Sequence, residues 1–171
     1  MTLRVTKLEC ARSQLETAIR LYFEDRDPIS IHTLTSAAYD VLHDIGRPRG
    51  LEPIFKGARF LPPEEREAYK DLLNRPRNFF KHADLDPQVR LKFEPEVTTF
   101  LLFDACEFYM RLTGDSPEAM NVFRTYFHVR YPEFVTDSDL REEIQSLRQD
   151  ERLAMKSGWL PLLERETQTA S

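Results

Sequence analysis

Apolar residues recur at three- and four-residue steps through six segments of this chain, most of them bounded by Pro or Gly, and that pattern confines it to a helical architecture. In residues 6–25, Leu8, Ala11, Leu15, Ala18, Ile19 and Tyr22 share one face and Arg12, Glu16 and Arg20 the other. Asp27 and Pro28 suit the cap and first position of a second helix. Its stripe runs through Ile31, Leu34, Ala38, Val41, Leu42 and Ile45 to a stop at Gly46. The small pair Ala37-Ala38 permits close helix packing. Residues 47–61 read as a loop, and Pro62-Pro63 open a third helix with Tyr69, Leu72 and Leu73 on its apolar face. Pro76 is expected to end or kink this helix near Asn74-Arg75, with 77–83 restarting as helix.

Asp84-Leu85-Asp86-Pro87 reads as a turn, and Val89, Leu91 and Phe93 alternate as a short extended piece at best. The helix opened by Pro95 is apolar almost all round, with Asp104 interrupting, and is expected to be central; Gly114 ends it. Ser116-Pro117 open a fifth helix, and Asp137-Ser138-Asp139 a sixth that stops at Gly158. The expected architecture is an all-α, up-and-down bundle of about four core helices over residues 1–114. A C-terminal helical extension, 115–158, packs on the same domain, and a partly ordered tail, 159–171, follows.

With 171 residues, 41% apolar and 31% charged, the chain can bury a core without covalent staples. Cys10 and Cys106 are too few for a disulfide framework and are expected as buried reduced thiols. The first residues lack a signal-peptide core, and no apolar run approaches the roughly 20 residues that span a bilayer. A soluble, cytoplasmic protein with no membrane partner is expected. His43 and His128 have no ligand spacing around them, Gly57 lacks the flanks of a phosphate loop, and no Gly-x-Ser-x-Gly elbow occurs. Neither a metal nor a cofactor is expected. The net charge of −5 argues against a general, charge-driven nucleic-acid binder, so any such role needs a local basic patch.

One patch qualifies. In Arg75-Pro76-Arg77-Asn78-Phe79-Phe80-Lys81-His82-Ala83-Asp84 four basic or potentially basic side chains lie within eight residues, with no acid before Asp84. Arg77, Asn78 and His82, with four residues between Arg and His, resemble the motif of the HEPN superfamily. That family comprises small helical bundles, usually dimeric, and the resemblance covers roughly residues 6–113. A second match, Arg26-Asp27 followed by His32, falls at a helix junction where the family does not place its site, and His32 reads as a surface or packing residue.

The resemblance implies metal-independent RNA endonuclease chemistry, in which a ribose 2′-hydroxyl attacks the adjacent phosphate. His82 would move the proton and Arg77 would stabilise the phosphoryl oxygens. Asn78 would orient the Arg or the phosphate, and Arg75 and Lys81 would bind flanking phosphates of the RNA substrate. A homodimer would bring two half-sites together. Such proteins often act as toxins or in defence against phage, with a neutralising partner protein. The alternative is a non-catalytic helical dimerisation or interaction module, in which Arg77 pairs with an acid such as Asp84 or Asp86 and His82 caps a carbonyl. Geometry discriminates. Catalysis needs Arg77 and His82 exposed in one cleft, whereas the module leaves them paired with acids or turned apart.

Overall fold

Thr6 starts the first helix by a reciprocal cap. Its hydroxyl accepts the Glu9 N–H at 3.2 Å, and the Glu9 carboxylate accepts the Thr6 N–H at 2.6 Å. The second start is as local: the Asp27 carboxylate accepts the Ser30 N–H at 2.8 Å, and Pro28 occupies the first turn. The computed structural model describes residues 2–58, 61–82, 87–135 and 137–164. Over these the helices are α1 (Lys7–Phe23), α2 (Pro28–Gly46), α3 (Arg66–Lys81), α4 (Glu96–Thr113), α5 (Glu118–Arg130), α6 (Ser138–Leu147) and the short α7 (Leu160–Leu163). The fold is an all-α helical bundle, and no strand occurs among the described residues. None of the described helices is long and apolar enough to cross a membrane.

The longest helix–helix seam joins α1 to α2, and α2 then packs on α4. Ala11 and Ala18 on α1 and Ala38 on α2 are wholly buried, small enough to let neighbouring backbones approach. α4 is central, as its nearly all-round apolar sequence requires; Leu102, Ala105, Cys106 and Phe108 have essentially no exposure. α5 is part of this core, with Phe127 stacked on Phe103 at 3.9 Å and Phe123 and Met120 fully buried. Cys106 is buried as expected, while Cys10 is only half-buried; both are free thiols.

Three features differ from the sequence expectation. First, α3 runs unbroken through Pro76. The proline lacks an N–H, so the helix continues through it with the Leu72 carbonyl left without its usual backbone donor. Second, α6 ends at Leu147, not at Gly158. Asp150 caps a new 3₁₀ turn by accepting the Arg152 N–H, and the chain folds back so tightly that a Cβ on Gly158 would lie 1.7 Å from the Arg152 carbonyl oxygen. Third, this reversal drives Trp159 into the core at 1% exposure, stacked 6.2 Å from Phe23, and Leu163 is buried behind it. The packed chain therefore continues past the expected boundary at 158. The expected turn at Asp84-Leu85-Asp86 lies outside the described residues.

Candidate functional site

Helix α3 and its C-terminal cap carry Arg75, Arg77, Asn78, Lys81 and His82, but on two faces. Arg75, Asn78 and His82 are spaced by three and four residues and share one stripe. Together with Leu72, Phe79, Val89 and Leu91 they line a broad open groove of about 930 Å³. Lys70, Asn74, Arg77 and Lys81, also at three- and four-residue steps, form the other stripe, which faces α2. His82 stands five positions after Arg77, a rotation of about 140° around the helix. Arg77 accordingly lines a second concavity, of about 490 Å³, while His82 lies in the groove. His82 is the exposed C-terminal cap of α3, its own N–H bonded to the Asn78 carbonyl at 3.1 Å. Thus Arg75, Asn78 and His82 are brought together; Arg77 and Lys81 belong to a different constellation.

That constellation centres on Asp40 of α2. The Arg77 Nη1 donates to its carboxylate at 2.8 Å, Lys81 Nζ lies at 3.8 Å and Lys56 Nζ at 3.9 Å. One carboxylate thus faces three cations. Lys56 is the most enclosed of these, with a side chain 15% exposed and its ammonium 4.3 Å from the centre of the Tyr39 ring. Burial pulls its pKa down to about 8, against the opposing pull of Asp40, and Arg77 lowers it further.

Lys56 is positioned from below. Asp104, on the central helix and only 1% exposed, accepts three successive backbone N–H groups, from Ile54 at 2.7 Å, Phe55 at 3.2 Å and Lys56 at 2.9 Å. Burial pushes this carboxyl up, while the three donors pull it back. The connection can close this tightly because residue 57 is glycine: a Cβ there would lie 2.5 Å from the Pro53 carbonyl oxygen. The sequence signalled Asp104, as the one acid within an apolar helix face. It did not signal Asp40 or Lys56, which are ordinary surface residue types until α3 covers them.

The second sequence match resolves differently. His32 is fully buried, its Nδ1 3.0 Å from the Thr98 hydroxyl and its ring edge-on to Phe80 and Phe93. It is a packing residue. Burial, with Lys56 as a lesser influence, pulls its pKa down to about 4 from an ordinary 6.5. Between these values the unfolded chain binds the proton and the folded chain does not, so stability is lost as pH falls from 6.5 toward 4. His32→Leu should therefore gain on the wild type by about 2–3 kcal/mol between pH 7 and pH 4.5. Urea unfolding at the two pH values measures that change.

Among the described residues no group of three or more His, Cys, Asp or Glu side chains is arranged to hold a metal ion. Comparisons with protein-family models, with curated proteins and with solved structures each found no match to this chain.

Proposed function

We propose that this chain is a HEPN-like helical interaction module that docks through α3, and not a nuclease whose Arg and His act together within one protomer. The position of Arg77 carries this reading. Its guanidinium is engaged by Asp40 at 2.8 Å and belongs to a different concavity from His82, so one phosphate cannot meet both from one copy. The outer groove of α3 suits a docking face. Leu72 and Val89 are 58% and 53% exposed there, beside Phe79 and Leu91. Asp71 and Arg75 stand four residues apart on this same side. Two copies of α3 packed antiparallel about a two-fold axis would set Asp71 of each against Arg75 of the other, a self-complementary contact. A homodimer is the partner this favours. Sedimentation equilibrium should give a dimer for the wild type and a monomer for Leu72→Asp; a monomeric wild type overturns the reading.

One observation favours a second reading, a metal-independent endoribonuclease of toxin or defence type with a neutralising partner. Arg75, Asn78 and His82 line the same groove, a donor set for a phosphodiester of an RNA substrate, and a second copy could supply what one lacks. Incubation with RNA in EDTA separates the two. The module leaves RNA intact, and cleavage abolished by both His82→Ala and Arg75→Ala, with folding preserved, would establish the nuclease.

A further inference from the structure

Helix α3 stands apart from the apolar core. That core draws its buried side chains from α1, α2, α4, α5 and the C-terminal segment, with Phe55 from the 52–57 connection, and none from α3. Of the 16 residues of α3 only Leu73 and Pro76 are buried, whereas most of α4 is. Concavities flank the helix on both sides, the outer groove and the inner concavity toward α2 and residues 52–57. The helix begins without a side-chain cap, and the described residues 51–58 and 87–95 on either side of it contain no helix.

What holds α3 is a polar seam against α2, and that seam is poorly satisfied. Five buried side-chain atoms on these two helices have no hydrogen-bond partner: His32 Nε2, Ser36 Oγ and the Tyr39 hydroxyl on α2, and Asn74 Oδ1 and Arg77 Nε on α3. His32 meets Phe80 of α3 edge-on and Asp40 meets Arg77, and Ser36 stands one turn from each on the same stripe of α2. Buried polar groups in folded proteins are nearly all paired, and each one that is not weakens the packing that seals it from water. Lys56 is desolvated in the same place, burial lowering its pKa to about 8. Against these stands one carboxylate. Asp40 accepts from Arg77 at 2.8 Å, with Lys81 Nζ at 3.8 Å and Lys56 Nζ at 3.9 Å, and so ties α3 and the 52–57 connection to α2. Opening the seam hydrates the five atoms and uncovers little apolar surface, so it is the cheapest place for this fold to part.

We propose that α3 is a detachable helix, which leaves α2 as a unit while α1, α2, α4 and α5 stay packed, and that Asp40 is the latch that holds it. Detachment also dismantles the outer groove, because Val89 and Leu91 reach that groove from the segment after α3 and not from the helix itself. The seam therefore controls the groove: a chain with α3 detached has no groove to dock with, and docking draws the equilibrium toward the closed form. This control rests on the reading of the groove as a docking face; the detachment does not.

Hydrogen exchange of the backbone amides at pH 7, resolved along the full chain and run at two protein concentrations about a hundredfold apart, tests this. Amides of α3 are expected to exchange about a hundredfold faster than those of α4, whose exchange reports global unfolding. Variants identify the contacts that break. Asp40→Asn should speed α3 and α4 by the same factor, about tenfold, because the latch is lost in the detached form and in the unfolded chain alike. Trp159→Phe, whose contacts lie on α1 and α5, should speed α4 by about tenfold and leave α3 unchanged, because those contacts survive detachment. Tyr39→Phe, which keeps the ring and deletes an unpaired hydroxyl, should slow α3 by about threefold. Exchange in α3 that matches α4, or that Trp159→Phe accelerates as much as α4, would overturn the detachment. Unchanged α3 exchange in Asp40→Asn would overturn the latch, and faster α3 exchange in Tyr39→Phe would overturn the account of the seam. Slower α3 exchange at the higher concentration is expected where a second copy docks on the groove. Fast α3 exchange that is independent of concentration would uphold the detachment and overturn the docking face.

Discussion

Asp104→Ala is expected to destabilise the protein by about 4 kcal/mol, by leaving three N–H groups, one buried and two partly buried, without an acceptor. The carboxylate takes the Ile54, Phe55 and Lys56 N–H groups at 2.7–3.2 Å with almost no access to water. Each unpaired buried donor costs about 1–3 kcal/mol, and partial hydration of the loosened loop recovers some of the total. Asp104→Asn retains an acceptor oxygen but brings an NH₂ group that opposes the donors, so it should cost about 2 kcal/mol. Urea unfolding at pH 7 gives both numbers. The loss should reach the inner cavity too, because the same carboxylate positions the backbone of Lys56. A cost below 1 kcal/mol for Asp104→Ala would mean that the 52–57 connection holds its shape without this anchor.

Trp159→Ala should cost about 3–5 kcal/mol, the range for deleting a large aromatic side chain from a packed core. Trp159 stacks on Phe23, meets Tyr126 edge-on at 5.5 Å and donates its indole N–H to the Leu153 carbonyl at 3.0 Å. Lys156 adds an ion pair with Asp25 and lies 4.2 Å from the Tyr22 ring centre. Loss of the indole should release residues 151–163 from α1 and α5, and limited proteolysis should then cut between 148 and 158 before the bundle opens. Trp159→Phe, which keeps part of the stack, should lose less than half as much. Resistance to cleavage in Trp159→Ala with unchanged stability would show that this segment is held by other contacts.

Much of the fold was legible because it is locally encoded. Asp27 with Pro28 marks the start of α2 through atoms within three residues of one another. The all-round apolar run of α4 identified the central helix for a similar reason: a surface with no polar side has to be buried. Where the sequence misled, a distant contact decided. Pro76 reads as a break, yet the helix continues through it at the loss of one backbone hydrogen bond. Gly158 reads as a helix stop, yet it is the close-packed point of a chain reversal that delivers Trp159 to Phe23, over a hundred residues away in sequence.

The candidate site divides along the same line. Sequence alone determined an all-α bundle and grouped Arg75, Arg77, Asn78, Lys81 and His82 within eight residues, because spacing and propensity are properties of neighbours along the chain; that one helix runs through Pro76 to carry them, with His82 as its cap, belongs to the folded structure. Only the tertiary structure decided which of them work together. The rotation of a helix separates Arg77 from His82, and packing against α2 converts Asp40, Lys56 and Tyr39 from unremarkable residues into the lining of a charged concavity. Electrostatic character depends on burial and on partners brought from afar, and neither exists until the chain has folded.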